Sequence, residues 1–356
     1  SSLVDELIVN KYLIDCGTVA SQQMGRRPNE LRVNGTENLV AVISWRRARL
    51  DIALITADNK IAFRDQIPLT EEEDKVDKIT STFFNIMKPK VGDRRIMGLC
   101  IIIPGIIDAE NKRILSTVIG VGYSDPVVQR FEEAFHDYPF CLLNDTACFA
   151  YAEYVFANIT EPNFAYINVS KGVGACLFAN GKMLRGAGSN ATQFGHFSVD
   201  RNGPLCACGN HGCVERVVGE NALTERAEAC GIDLTRFAGR KPLYCDIGAM
   251  AEDGDAHAKE LIKDLAVDLS FAISNLITLF NPSLVVIGGM GVNLGPFFLS
   301  NIRDEVQNSG FKEFVSNTWI QYSTLGLDSE LGGAARYYID HYYDFFEQMQ
   351  GGLYAD

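Results

Sequence analysis

The eighteen residues from His196 to Cys213 begin on a histidine and hold three cysteines: His196, Cys206, Cys208 and Cys213. Three thiolates and one imidazole are a full ligand set for a structural zinc ion, because they close a tetrahedron and leave no position for water. The spacing C-A-C-G-N-H-G-C, with a histidine ten residues upstream, favours such a site over four unrelated residues, even though a cysteine alone is often just a small buried hydrophobe. Glycines at 203, 209 and 212 allow so short a loop to fold back on a metal. His211 lies inside the loop and competes for the fourth ligand position.

The letters around these ligands, Q-F-G-H-F-S-V-D from Gln193 and G-P-L-C-A-C-G-N-H-G-C-V-E from Gly203, resemble the motif of the ROK family (repressors, open reading frames and sugar kinases). The resemblance extends over nearly the whole chain. It implies an α/β fold of the two-lobed actin-like ATPase (ribonuclease H-like) type that binds a sugar in the cleft between its lobes. Carried over residue by residue, the sugar-binding set is Gly105, Asn144, Asp145, His196 and Glu215, with Gln193 at the position where the family usually has glutamate. The chemistry suits a sugar, since a carboxylate accepts two neighbouring hydroxyl protons and charge-assisted hydrogen bonds are the strong ones. An amide at 193 keeps the shape and one acceptor but loses the charge, which bears on the sugar's identity and affinity. Asn144 and Asp145 end a strand and begin a helix, where open α/β sheets bind ligands; a plain helix cap explains them too. Glu215 can also be read as a surface helix residue.

In a kinase of this family Asp145 would be the general base that takes the hydroxyl proton. Such a kinase also carries an aspartate and a glycine-rich turn between its first two strands, for the ATP phosphates. Here that turn reads Ser44-Trp45-Arg46-Arg47-Ala48-Arg49, without glycine or carboxylate. Its side chains are expected to fill the space of a triphosphate, and nothing in it would position a metal for phosphoryl transfer. No catalytic residue is therefore assigned, and Asp145 is expected to bind. The segment K-G-V-G-A (171–175) resembles the second phosphate-contacting turn of the kinases, though glycines also serve any hairpin, and Gly288-Gly289 resembles the adenosine-side turn but could equally be a sharp strand-to-helix turn.

At the amino end, apolar residues at 3, 4, 7, 8, 12 and 13 have helical periodicity. With the Gly-Arg-Arg-Pro turn that follows, the segment resembles part of a winged helix-turn-helix: recognition helix, strand, wing, strand. Arg26 and Arg27 are the expected DNA contacts. A complete motif needs a helix ahead of the recognition helix, so DNA binding is expected to require residues upstream of Ser1. An amphipathic arm over a core edge is the competing reading of residues 1–36.

The expected domains are residues 1–36, a first α/β lobe of 37–147 plus 329–356, and a second lobe of 148–328 with the zinc loop. Strand-like runs open each lobe: L-V-A-V-I-S and L-D-I-A-L-I-T in the first, F-A-Y-I-N-V-S in the second. Helices are expected over 71–88 and 125–137, a strand over 96–108, and a core-facing helix carrying Leu261, Leu265, Leu269, Ile273, Leu276 and Ile277. A net charge of −13 opposes nonspecific attraction to nucleic acid, so any DNA contact must be local. The acidic run Glu71–Asp74 reads as a helix start. No apolar run is long enough to span a bilayer and the amino end lacks a signal-peptide layout; no membrane insertion and a cytoplasmic location are expected. The cysteines outside the loop (Cys16, Cys100, Cys141, Cys148, Cys176, Cys230, Cys245) are expected to be reduced core residues. The whole reads as a sugar-responsive transcriptional repressor with a structural zinc and no phosphoryl transfer. Its partners would be a sugar or sugar phosphate effector, a DNA operator contacted through the complete amino-terminal region, and copies of itself in a homodimer or homotetramer. Two alternatives stand beside it: an ATP-dependent sugar kinase of the same family, and a sugar-sensing lobe that acts through protein partners.

Overall fold

The computed structural model describes residues 2–18, 29–108, 111–117, 126–186 and 191–343. The chain divides into two compact units, Ser1–Ala152 with Asp328–Asp356, and Glu153–Leu327. The first unit opens with α1 (Ser2–Val9) and an antiparallel ribbon of β1 (Leu13–Thr18) and β2 (Asn29–Val33). The helix expected over 2–13 stops at Val9 because Lys11 turns into the left-handed region at φ 60°. Tyr12 then packs inward, where Arg95 donates to its hydroxyl. The Gly-Arg-Arg-Pro turn, with Arg26 and Arg27, lies outside the described residues.

Three strands follow as an antiparallel meander, β3 (Asn38–Trp45), β4 (Arg49–Thr56) and β5 (Ile61–Pro68). The acidic run leads into α2 (Lys75–Thr82), with Asp74 as its cap accepting from the Asp77 amide at 3.0 Å. The helix is shorter than expected, widening into a π turn over Phe83–Met87. Next come β6 (Arg95–Ile103), then β7 (Gly105–Asp108) and β8 (Arg113–Thr117) as a separate hairpin, α3 (Val127–Ala134), β9 (Phe140–Asn144) and α4 (Asp145–Phe156). The single strand expected over 96–108 is thus two, broken at Pro104, which has no amide hydrogen to continue the ladder. The sheet order is β5-β4-β3-β6-β9, with β3, β6 and β9 parallel. Strands β3 and β6 are buried along nearly their whole length, as parallel strands covered on both faces must be.

The second unit contains β10 (Phe164–Val169), β11 (Val173–Ala179), β12 (Lys182–Met183), α5 (Val214–Val218), α6 (Glu220–Ala229), α7 (Tyr244–Glu252), α8 (Ala256–Phe280), β13 (Leu284–Gly288), α9 (Gly295–Gln307), α10 (Lys312–Ser316) and β14 (Trp319–Tyr322). Its sheet runs β12-β11-β10-β13-β14. Helix α8 starts at the cap Asp255, which accepts from the Ala258 amide at 3.0 Å, and ends at Asn281 with φ 49°. All six apolar residues expected on its inner face are buried. Truncating one such leucine to alanine costs about 2 to 5 kcal/mol.

The last helix, α11 (Ser329–His341), belongs to the first unit and packs on β3 and β6. Its approach is close: a Cβ on Gly98 would lie 2.1 Å from the Tyr338 hydroxyl, and one on Gly333 2.0 Å from the Cys148 carbonyl oxygen. Among the described residues no helix is long and apolar enough to cross a membrane. The expectation for the scattered cysteines holds for Cys100, Cys141, Cys148 and Cys176 but not for the rest. Cys16 lies on an exposed ribbon strand, Cys245 on the outer side of α7, and Cys230 is half-buried.

Candidate functional site

The zinc-loop side chains converge. One ligand atom from each of His196, Cys206, Cys208 and Cys213 lies within 4.8 Å of the others. The Cys206 Sγ to His196 Nδ1 distance is 3.6 Å, and Cys208 Sγ to Cys213 Sγ is also 3.6 Å. A tetrahedron with Zn–S bonds of about 2.3 Å and a Zn–N bond of about 2.0 Å has S–S edges of ~3.8 Å and S–N edges of ~3.5 Å. The four residues therefore fit a zinc ion, and its contribution there would be to tie the loop down. Backbone bonds shape the cradle: the Cys206 amide donates to the Asn210 carbonyl at 2.8 Å and the Gly209 amide to the Cys206 carbonyl at 2.9 Å. Gly212 adopts φ 59°, and a Cβ there would stand 1.9 Å from the Asp200 carbonyl oxygen. His211 is not in the cluster; it is exposed, with Nδ1 3.0 Å from the Gly203 carbonyl oxygen.

His196 ends the short 3-10 turn Phe194–His196, which follows Thr192 and Gln193. Thr192 has φ 65°, an uncommon conformation for a β-branched residue, and its hydroxyl donates to the Ala175 carbonyl at 2.8 Å. A Cβ on Gly195 would meet the Val173 carbonyl oxygen at 1.8 Å, so the Gly-His pair needs its glycine to lie against β11. Gln193 is exposed and borders an apolar groove of about 260 Å³ with Phe197, Leu276 and Phe280. Glu215, half-buried in the first turn of α5, reaches the K-G-V-G turn: a Cβ on Gly172 would be 2.4 Å from Glu215 Oε2.

In the first unit, Asn144 and Asp145 stand at the carboxyl end of β9 and the start of α4. Asn144 is engaged at both ends, its Nδ2 donating to the Gly105 carbonyl and its Oδ1 accepting from the Ala147 amide at 3.1 Å. It caps the helix and fixes Gly105. Asp145 Oδ1 accepts from the Thr146 amide at 2.8 Å. Burial raises the Asp145 pKa above the ordinary carboxylate value, and the Arg46 guanidinium opposes that rise.

The turn between β3 and β4 differs from the expectation. Trp45 does not fill a phosphate space; it is 2% exposed in the core of its unit, the last inward residue of β3. Arg46 turns inward and pairs with the buried Glu330 of α11, while its Nε lies 3.5 Å from Asp51 Oδ2. Arg49 pairs with Asp51 at 2.9 Å. The turn has no acid of its own, but Asp51 and Glu330 bring two to it. Burial pushes the Glu330 carboxyl up to about 7, with Arg46 restraining the rise and Asp145 adding to it. Neither acid was singled out from the sequence. Asp51 left a trace, as a charged residue inside the apolar run L-D-I-A-L-I-T; Glu330 looks like any glutamate in the first turn of a helix.

Residues 44–340 match the ROK family. A putative xylose repressor of Caldicellulosiruptor sp. (strain Rt8B.4) is 28% identical over 338 residues, covering 91% of this chain and 84% of that protein. The DNA-binding transcriptional dual regulator NagC of Escherichia coli (strain K12) is 26% identical over 345 residues, 92% of this chain and 83% of that protein. With the xylose repressor of Bacillus subtilis (strain 168) the identity is 26% over 250 residues, and the match spans 62% of that repressor's length. Among solved structures, a ROK family transcriptional regulator described as a homolog of the Escherichia coli MLC protein superimposes with a TM-score of 0.78 at 23% identity, covering 94% of this chain and 86% of that one. The ROK hexokinase from Thermus thermophilus gives 0.67 at 22% identity, covering 88% and 100%. These structures share the expected α/β fold of the actin-like sugar kinases, and the chain belongs to the ROK family.

Proposed function

We propose that this chain is the effector-binding part of a sugar-responsive transcriptional repressor in the cytoplasm, with a structural zinc and no phosphoryl transfer. The observation that carries the reading is the β3–β4 turn, where the inward guanidinium of Arg46, held by Glu330 and Asp51, takes the place of the small, flexible turn that ATP phosphates need. The similarity to proteins named as xylose and N-acetylglucosamine repressors supports it. Gly105, Asn144 and Asp145 of the first unit and Gln193, His196 and Glu215 of the second are the sugar-contacting residues in this reading. His196 would give Nδ1 to zinc and leave its other ring nitrogen for the sugar, so that metal and ligand share one orienting residue. Operator contact falls to the amino-terminal region, and a dimer or tetramer presents two such regions to a two-fold site.

The test is a thermal-shift screen of xylose, N-acetylglucosamine, glucose, their phosphates and ATP. A cognate sugar at about a hundred times its Kd should stabilise the protein by roughly 2.7 kcal/mol, and Asp145→Ala should remove that stabilisation. Stabilisation by no sugar, or sugar-dependent ADP production that Asp145→Asn abolishes, would overturn the reading; the second result would establish the kinase instead.

A further inference from the structure

The amino-terminal arm of the first unit, α1 with the β1–β2 ribbon, lies almost wholly at the surface: among its described residues Tyr12 is the one that is buried, at 9% exposed. The left-handed turn at Lys11 breaks α1 and turns Tyr12 toward the body of the unit. There the Arg95 guanidinium covers the Tyr12 ring, 4.8 Å from its centroid, and also donates to its hydroxyl. A guanidinium so placed is held by the ring's quadrupole as well as by the hydrogen bond. The returning strand is clamped beside it. The Asn34 amide donates to the Tyr12 carbonyl at 2.8 Å, the Asn34 carbonyl accepts from Asn38 Nδ2 at 3.0 Å, and a Cβ on Gly35 would stand 2.4 Å from the Asp58 Cβ. Arg95 is itself well placed to hold the arm. It opens β6 opposite Asn38 of β3, and two residues on, the Met97 carbonyl accepts from the Tyr338 hydroxyl of α11 at 3.0 Å.

We propose that Tyr12 is a positioning residue that pins the arm to the first unit as one rigid body, so that the direction of the unit sets the direction of the arm on its operator. The inference rests on the reading of the amino-terminal region as the operator-contacting part and of the chain as a sugar sensor. Distance is what calls for a rigid joint. Strand β6 begins at Arg95, beside the pin, and ends at Ile103, two residues before Gly105 of the sugar set; at ~3.3 Å per residue these ends lie roughly 26 Å apart. A ligand held by Gly105, Asn144 and Asp145 is therefore out of reach of Tyr12. Its effect on the arm travels through the unit as a body, and a body turns the arm only through a joint that does not swivel. The two chain crossings by themselves would leave a hinge; the Tyr12 ring under Arg95 removes that freedom. A two-fold operator needs two arms at a fixed separation and angle, so a swivelling arm loses affinity for the specific site and keeps the general attraction to phosphates.

Tyr12→Ala should free the arm, and Tyr12→Phe, which keeps a ring under the guanidinium, should not. A fluorophore on Cys16, exposed on β1, reads this directly, with Cys245→Ser to remove another exposed thiol and Cys16→Ser as the background to subtract. Time-resolved anisotropy should show wild type and Tyr12→Phe turning with the whole chain, while Tyr12→Ala and Arg95→Met gain a faster, nanosecond component. Function is read in the longer chain that carries its upstream residues, on the duplex it selects from a random-sequence pool. Tyr12→Ala should bind that duplex about tenfold or more weaker, because preorganisation is lost, with binding to a scrambled duplex unchanged; Tyr12→Phe should restore it. The sugar found in the thermal-shift screen should keep its Kd in Tyr12→Ala, but its effect on operator affinity, about 5- to 150-fold for an ordinary coupling, should shrink toward none. An unchanged anisotropy decay in both Tyr12→Ala and Arg95→Met overturns the pin. A freed probe with operator affinity and sugar response intact overturns the positioning role. A pool that yields no enriched sequence overturns the operator reading, and that role with it, while the probe still decides whether the pin exists.

Discussion

Replacing Cys213 by serine tests the metal centre most directly. Cys213 is fully buried, with Sγ 3.6 Å from Cys208 Sγ, and it leads straight into α5. A serine hydroxyl is shorter and stays protonated at neutral pH, so it offers zinc no anionic ligand. Structural zinc contributes about 10 to 16 kcal/mol in small peptides; a quarter of that, roughly 2.5 to 4 kcal/mol, is a fair share for one ligand of four. For a unit of this size each kcal/mol moves Tm by about 2 to 4 °C, so the variant should melt roughly 5 to 16 °C lower. It should also lose most of its metal. Two controls fix the interpretation: Cys245→Ser, exposed and outside the cluster, and His211→Ala, whose ring is on the Gly203 carbonyl. Both should keep one zinc per chain and the parental Tm. The assay is elemental analysis with thiol titration, followed by scanning calorimetry with and without a chelator. Wild-type protein carrying no zinc, with all its cysteines titrating as free thiols, would refute the site; zinc retained at one per chain in Cys213→Ser would refute this ligand set.

Three further outcomes are expected. A coupled assay with the sugars of the screen should show no ADP production above a blank, because Arg46 occupies the first-lobe turn. Gly195→Ala should destabilise the protein by about 1 to 3 kcal/mol or more, since its Cβ would stand 1.8 Å from the Val173 carbonyl oxygen, and should lower zinc content by displacing His196; denaturant melts and metal analysis check this. Glu330 should give stability a pH dependence of unusual sign. Its folded pKa is raised from 4.5 to about 7, so between those values the folded state binds more protons than the unfolded one and stability falls as pH rises. The loss is at most about 3 kcal/mol, from roughly 2.5 pH units at 1.36 kcal/mol each. Urea melts at pH 5.5 and pH 8 should show it in wild type and show it reduced in Glu330→Gln; equal pH dependence in both would rule out Glu330 as the source.

What could be read in advance depended on how far along the chain each interaction reaches. The four candidate zinc ligands span eighteen residues, and their types and spacing pointed to the cluster that the structure brings together. The strands β3, β4 and β10 were legible because β-branched and apolar runs buried on both faces leave a continuous trace. Boundaries failed where one residue's backbone decided them: Lys11 ended α1 and Pro104 split the strand after Ile103. The ion pair of Arg46 and Glu330 joins residues 284 positions apart and has no local pattern at all. Reading the 44–49 turn by itself made its arginines look like side chains left in an empty phosphate space. With α11 packed on β3 and β6, its Tyr338 against Gly98, Arg46 becomes the counter-charge of a buried acid. Removing either partner of such a pair alone leaves a buried charge without compensation. An arginine fixed in this way cannot be exchanged for a glycine-rich phosphate turn by a change in the turn alone, because Glu330 would then have to change with it.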